Sequence, residues 1–175
     1  MANYTPTLPA VADSADARGL TVSSLFDLHA SGVYRLALAM LREPEAAQDV
    51  VQDTFLRLIT HLEKGGALPS PRGWLYTVAA HACRDRQRRR GRWLPWIADR
   101  DTRQAPETPD FRDGAQVVLD GIRGLPPRDR LLVALRAQGL SYQEIAEAAG
   151  IHAPSVGRLL ARALDRLQKT LAAAS

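Results

Sequence analysis

Apolar positions recur at helical spacing through most of the chain, and they predict seven helices. Residues three or four apart lie on the same face of a helix, so this period marks helices that pack on one side. The predicted helices cover residues 23–42, 44–62, 71–92, 114–124, 126–138, 141–150 and 154–171. Runs of β-branched residues are nearly absent and aromatic residues make up only 6% of the chain. The pattern therefore predicts an all-α fold.

Residues with special backbone properties mark several helix ends. Pro44 and Pro71 stand in predicted first turns, where the missing N–H of proline has no helical partner. Ser141 and Glu144 form an S-x-x-E capping box, which satisfies amides at a helix start. Gly150 marks the end of that helix, because glycine adopts the left-handed conformation at low cost.

Two intervals lack the helical pattern and divide the chain. Residues 1–20 are rich in Ala, Pro and Thr, and we expect them to form a mobile N-terminal extension. Residues 93–112 contain three prolines, which predicts a flexible linker. The chain is thus expected to hold two small helical domains, residues 21–92 and residues 113–175.

The end of the second domain has the pattern of a helix-turn-helix. A short helix ends at Gly150, and a longer helix follows with an apolar face made of Val156, Leu159, Leu160, Ala163, Leu164 and Leu167. Basic residues lie along its other side: Arg158, Arg162, Arg166 and Lys169. In a helix-turn-helix the second helix enters the major groove of DNA. The alternative is an ordinary helical hairpin whose basic face is solvated.

The third predicted helix begins apolar and ends strongly basic. Six arginines fall within nine residues, namely Arg84, Arg86, Arg88, Arg89, Arg90 and Arg92. Cations complement the dipole at a helix C-terminus, which is a purely structural explanation. So many like charges also repel one another unless a polyanion lies near, and nucleic acid is the natural candidate.

The second predicted helix carries polar residues opposite an apolar face. The apolar face consists of Ala47, Val51, Phe55, Leu58, Ile59 and Leu62, whereas Asp49, Gln52, Asp53 and Arg57 project elsewhere. Such residues usually form a solvated surface. The sharper interpretation is a docking surface for a basic partner.

Composition narrows the possible functions. A single cysteine, Cys83, excludes an internal disulfide and fits a reducing cytoplasm. No apolar run approaches the roughly 20 residues that a membrane helix needs, so we expect no membrane insertion. We find no Gly-rich phosphate loop, no G-x-S-x-G and no His/Cys set at metal-ligand spacing. The sequence therefore predicts a protein that is not an enzyme, without a metal or other cofactor.

Three segments in order resemble one protein family. They are AAQDVVQDTFLRL, PRGWLYTVAAHACRDRQRRR and LPPRDRLLVALRAQGLSYQEIAEAAGI. From about Ser23 to Leu171 the chain resembles the bacterial RNA polymerase sigma factors of the extracytoplasmic-function (ECF) group. In that family the first segment contacts the polymerase clamp, and the second recognises and melts the minus-ten promoter element. The third begins the domain that reads the minus-thirty-five element.

The resemblance implies roles for particular residues. By this resemblance, the residues expected to contact the polymerase are Asp49, Gln52, Asp53 and Arg57. Contact with the minus-ten element falls to Trp74, His81, Arg84, Arg86, Arg88, Arg89 and Arg90. Contact with the minus-thirty-five element falls to His152, Ser155, Arg158 and Arg162. The chain departs from the family pattern at His81, where Asn is usual, at Gly157 and Leu159, where Lys and Arg are frequent, and at His152, which replaces a Ser or Thr cap.

The implied function is that of a dissociable polymerase subunit. Such a protein acts in the cytoplasm, where it binds core RNA polymerase and promoter DNA. It directs promoter recognition, promoter melting and transcription initiation. The resemblance also implies an anti-sigma factor as its regulatory partner. The alternative is a free-standing helix-turn-helix repressor. A repressor usually dimerises on a palindrome, and this sequence has no obvious dimerisation helix.

Overall fold

The computed structural model describes residues 21–89 and 114–173. In the second range the side chains are described from residue 117 onward. The described residues form seven helices and no strand. The helices are α1 (Val22–Leu41), α2 (Pro44–Glu63), α3 (Pro71–Arg89), α4 (Gly114–Gly124), α5 (Pro127–Ala137), α6 (Tyr142–Ala149) and α7 (Ala153–Ala173). The all-α prediction is confirmed. The predicted extension 1–20, the linker 93–112 and the arginines Arg90 and Arg92 lie outside the described residues.

The start and the end predicted for α6 from the sequence are both present. In the capping box of α6, the Glu144 amide donates to Ser141 Oγ at 3.3 Å, and the Ser141 amide donates to Glu144 Oε2 at 2.8 Å. Gly150 has φ = 68° and ends that helix, as expected for a left-handed C-cap. Ser70 Oγ accepts a hydrogen bond of 3.2 Å from the Gly73 amide at the start of α3.

Each domain packs around one central helix. In the first domain α1 contacts both α2 and α3, and in the second α7 contacts α4, α5 and α6. The first domain contains a cluster of buried hydrophobic residues of its own, which consists of Leu25, Phe55, Leu58, Trp74, Leu75 and Val78.

Gly32 lies inside α1, where glycine weakens a helix. The structure explains its position, because a Cβ there would fall only 1.9 Å from the Tyr76 hydroxyl oxygen. Glycine therefore lets α3 approach α1 closely. The close packing of the two helices offsets the weakening of α1 by glycine.

A single hydrophobic cluster runs through both domains. It includes Leu36 and Met40 of α1, Cys83 of α3, Leu131 of α5 and Ile145 of α6, all at most 2% exposed. Direct helix contacts between the domains are α3 with α6, α1 with α5 and α1 with α4. The sequence predicted the two domains but not this packing between them.

Some apolar residues assigned to buried faces are exposed. Leu164 is 46% exposed, because α7 buries only the narrower stripe of Val156, Leu160, Ala163 and Leu167. On α2, Ile59 and Leu62 are also exposed, since α1 and α3 cover only part of that helix.

Candidate nucleic-acid interface

The turn between α6 and α7 presents the residues assigned to the minus-thirty-five element. Gly150 redirects the chain, and the Ser155 amide donates to the His152 carbonyl at 2.9 Å as α7 begins. His152, Arg158 and Arg162 are exposed, and Ser155 is half-buried. The structure therefore leaves all four side chains at least partly accessible along the start of α7.

Two residues unassigned from the sequence lie beside this helix. The Tyr142 ring packs next to Gly157, with ring carbon Cε2 3.4 Å from the position that a Gly157 Cβ would occupy. The Arg136 guanidinium lies 5.7 Å from the centre of the same ring. Because Tyr142 is 49% exposed, it broadens the basic and aromatic surface at the start of α7. Its place could have been inferred only from the contact between α6 and α7.

The arginines of α3 differ sharply in their surroundings. Arg84 is buried, and its guanidinium donates to the carbonyl oxygens of Ala148 and Ala149 in α6 at 2.9 and 3.1 Å. Arg86 pairs with Asp53 of α2 at 2.5 Å. Arg88 pairs with Asp85 one turn earlier in the same helix, whereas Arg89 is exposed.

The other two residues assigned to the minus-ten element are largely enclosed. Trp74 is 4% exposed, and its ring packs against the His61 ring at a tilt of 34°, with ring centres 5.1 Å apart. His81 is partly buried, and burial, reinforced by the charge of Arg84, lowers its pKa to about 4. His81 is therefore neutral at physiological pH. The roles assigned to Trp74, His81 and the arginines of α3 stay predictions.

The polar face of α2 points outward. Asp49, Gln52 and Arg57 are exposed, and Asp53 is half-buried through its contact with Arg86. These four residues thus lie on a surface that is open, apart from the one ion pair. Their role in polymerase contact stays a prediction.

An apolar groove between α1 and α2 adjoins this face, and the sequence did not predict it. We call it the α1–α2 groove; its lining includes Phe26, Tyr34, Gln52, Phe55, Leu56 and Ile59. Phe26 and Leu56 are 47% and 54% exposed, so the groove presents apolar surface to solvent. The signal in the sequence was Leu56, an apolar residue four positions after Gln52 on the polar side of α2.

Two other features, a metal-ligand cluster and a membrane-spanning helix, are absent from the described residues. Between residues 21 and 89 and between 114 and 173, no three His, Cys, Asp or Glu side chains are grouped so that they could hold a metal ion. No described helix is long and apolar enough to cross a membrane.

Comparisons with known proteins agree with the geometry. Residues 25–92 match Sigma-70 region 2, and residues 115–167 match Sigma-70 region 4. The chain is 32% identical over 168 residues to the ECF RNA polymerase sigma factor SigL of Mycobacterium tuberculosis, with 92% of this chain and 94% of SigL covered. It is 34% identical over 155 residues to the RNA polymerase sigma factor CarQ of Myxococcus xanthus, covering 84% and 87% of the two chains.

A solved structure shares the fold. The sigma factor RpoE of Bartonella quintana, crystallised in complex with the anti-sigma factor NepR, superposes with a TM-score of 0.64 at 21% identity. The match covers 85% of this chain and 95% of that one. Region 2 carries the basic helix α3 and region 4 carries the helix-turn-helix. The alignment with SigL spans both regions of this chain. The chain therefore belongs to the ECF RNA polymerase sigma factors.

Proposed function

We propose that this chain binds core RNA polymerase through α2 and directs promoter recognition, promoter melting and transcription initiation. The observation that carries the proposal is the position of Gln52. This residue, assigned to polymerase contact from the sequence, lines the exposed α1–α2 groove. An apolar groove flanked by accessible charged residues has the composition of a protein-docking surface, with an apolar centre and a polar rim.

Promoter contact is divided between the two domains. The start of α7, with Ser155, Arg158 and Arg162, reads the minus-thirty-five duplex in the manner of a helix-turn-helix. The basic end of α3 contacts the phosphates of the minus-ten region. Phosphate contacts position the protein but carry no sequence information. Base selection at the minus-ten element therefore depends on residues near the start of α3.

The chain has no catalytic activity of its own in this proposal. It acts in the cytoplasm and supplies specificity to the polymerase, which performs the chemistry. We also propose an anti-sigma factor as its regulator, because RpoE of Bartonella quintana was crystallised with such a partner.

The decisive experiment is binding of the labelled full chain to purified core polymerase. Leu56→Asp places a charge in the α1–α2 groove, and Asp49→Lys reverses a charge beside it. Each should weaken binding about 30-fold, the effect of losing an interface anchor worth roughly 2 kcal/mol. Asp165→Lys makes the same charge reversal on α7 and serves as the control, with unchanged affinity.

The same binding experiment tests the alternative that the chain is a free-standing helix-turn-helix repressor. A repressor would bind duplex DNA specifically without polymerase and would show no affinity for the core enzyme. Unchanged polymerase binding in both Leu56→Asp and Asp49→Lys would reject the proposed docking surface.

A further inference from the structure

Aromatic side chains form much of the α1–α2 groove. Two of the chain's three phenylalanines, Phe26 and Phe55, line it together with Tyr34. The rings of Phe26 and Phe55 meet edge to face with their centres 4.9 Å apart. The groove has a volume of about 710 Å³, within the range of roughly 300–1,000 Å³ that holds a compact ligand. It can therefore hold a short peptide segment.

The α1–α2 groove carries little charge. Among the described residues that line it only Arg35 is charged, and its guanidinium donates to the side-chain oxygen of Gln138 at 3.0 Å. Gln48 and Gln52 are exposed one turn apart along the α2 edge, and their amide groups can donate to and accept from a peptide backbone. The occupant that matches this surface is an uncharged, largely apolar segment with accessible carbonyl oxygens.

The N-terminal extension contains such a segment. Residues 4–11, YTPTLPAV, carry no charge and include Tyr4 and Leu8. Pro6 and Pro9 are spaced as P-x-x-P, a pattern that docks in aromatic-lined grooves as a polyproline II helix. Proline also lacks an N–H, so the segment brings fewer unpaired donors against apolar side chains. By itself the pattern is weak, because prolines are common in linkers, but the aromatic groove is an independent observation.

The chain enters α1 beside the groove. Thr21 caps α1, and Phe26 lies roughly 7.5 Å further along the helix axis. Residues 12–20 span up to about 30 Å when extended, whereas the groove from Phe26 to Arg35 is about 14 Å long. This tether therefore lets residues 4–11 reach any part of the groove.

We propose that residues 4–11 dock in the α1–α2 groove of the same chain, where core polymerase must displace them. The displacement rests on the proposed function, because the groove is the proposed polymerase-docking surface, whereas the docking does not. A short tether gives an effective concentration of about 1 mM, so a segment with a dissociation constant of about 100 µM would occupy the groove in about nine of ten molecules. Polymerase then finds a free groove in about one molecule in ten.

Docking is tested in the free full chain by disulfide trapping. The groove pair combines Thr7→Cys in the segment with Ser31→Cys, a conservative change at an exposed lining residue. The control pair combines Thr7→Cys with Leu28→Cys, because Leu28 is exposed on the same helix but does not line the groove. Native Cys83 is buried, and burial raises the pKa of its thiol to about 12, so it stays unreactive.

In oxidised glutathione the intramolecular disulfide of the groove pair should form about tenfold faster than that of the control pair, as the expected occupancy implies. Equal rates in the two pairs would overturn the proposal. A disulfide that forms mainly between chains would also overturn it, because the groove would then take a second copy.

Substitutions in the extension test which residues hold the segment. Leu8→Asp, added to the groove pair, should slow trapping to the rate of the control pair, because a charge enters an apolar groove. Ala15→Asp adds the same charge to the extension outside residues 4–11 and should leave trapping fast. Equal trapping in these two variants would contradict docking through the apolar residues of the segment.

Displacement is tested by the affinity of the full chain for core polymerase. Leu8→Asp, without added cysteines, should tighten binding about tenfold because the competing segment is lost, whereas Ala15→Asp should leave the affinity unchanged. Trapping needs no polymerase, so the two proposals fail in different ways. Fast trapping without any polymerase binding would reject the polymerase surface and support the docked segment. Polymerase binding that Leu8→Asp leaves unchanged would overturn the displacement.

Discussion

Arg86 of α3 donates a hydrogen bond to Asp53 of α2 at 2.5 Å, so a residue assigned to DNA neutralises one assigned to polymerase. The two side chains are 24% and 43% exposed. Each residue therefore meets an external partner with its charge already partly neutralised. Asp49, one turn earlier on α2, is exposed. The two aspartates are therefore expected to respond differently to substitution.

Reversing both Asp49 and Asp53 to Lys should weaken binding to core polymerase by more than the roughly 30-fold expected from Asp49→Lys, as expected for an acidic face that meets a basic partner. Most of the loss should come from Asp49→Lys alone. Asp53→Ala and Arg86→Ala, combined in a double-mutant cycle of urea unfolding, should show a coupling below about 1 kcal/mol, because the pair is partly solvated. Equal losses of polymerase affinity from the two single reversals would contradict this division.

The arginines of α3 should contribute unequally to promoter binding by the polymerase complex. Arg89→Ala should reduce the slope of log affinity against log salt concentration by roughly 0.7–0.9, the effect of one lost phosphate contact. Arg86→Ala should change the slope less, since its charge is already paired with Asp53. Identical slopes for the unsubstituted chain and Arg89→Ala would mean that Arg89 is only a solvated helix end.

Arg84→Ala should destabilise the chain by about 2–3 kcal/mol, because two carbonyl oxygens of α6 lose charged donors in a buried site. Arg89→Ala removes the same type of side chain from an exposed position and should cost less than about 0.5 kcal/mol. Thermal and urea unfolding monitored by circular dichroism would measure both. Similar stabilities for the two variants would show that the Arg84 contacts contribute little.

His81 should make stability depend on pH. Its pKa is about 4 in the folded chain and 6.5 in the unfolded chain, so the unfolded state binds more protons between these values. Stability should therefore fall as the pH falls from about 6.5 toward 4, by roughly 1–2 kcal/mol once partial exposure is allowed for. The burial-lowered pKa of His29 acts in the same direction.

The control for this pH dependence is His81→Asn, which places the residue usual in the family at this position. Urea midpoints measured at pH 7 and pH 5 should differ less in this variant than in the unsubstituted chain. Equal differences would assign the pH dependence to other groups.

Gly157 should tolerate a side chain. A Cβ would meet the Tyr142 ring at an ordinary contact distance of 3.4 Å, so Gly157→Ala should stabilise α7 by about 0.5–1 kcal/mol. Gly157→Lys should also tighten binding of the polymerase complex to the minus-thirty-five element through an added phosphate contact. Ala172→Lys carries the same charge at the far end of α7 and should leave binding unchanged. A Lys at position 157 that gives no gain over this control would reject the expectation.

The sequence by itself determined the helices and the family. Helix ends depend on residues within one turn, such as Ser141 with Glu144, and apolar faces repeat every three or four residues. Both signals depend on residues that are close in the sequence, so they can be recognised without the tertiary structure. The three family segments added the order of the domains. The spacing of apolar residues predicted too wide a buried face for α7, because Leu164, which it placed on that face, is exposed.

Only the tertiary structure decided which polar residues are free and which are occupied. Arg84 lies 65 positions from Ala149, and Ser70 lies 74 positions from Glu144, so no local pattern joins them. The α1–α2 groove likewise exists only because two helices, each with its own apolar face, leave Phe26 and Leu56 uncovered where they meet. An arginine in a basic run looks the same in sequence whether it faces solvent or caps a distant helix. Packing between α3 and α6 decides the difference, because it determines which charges leave water.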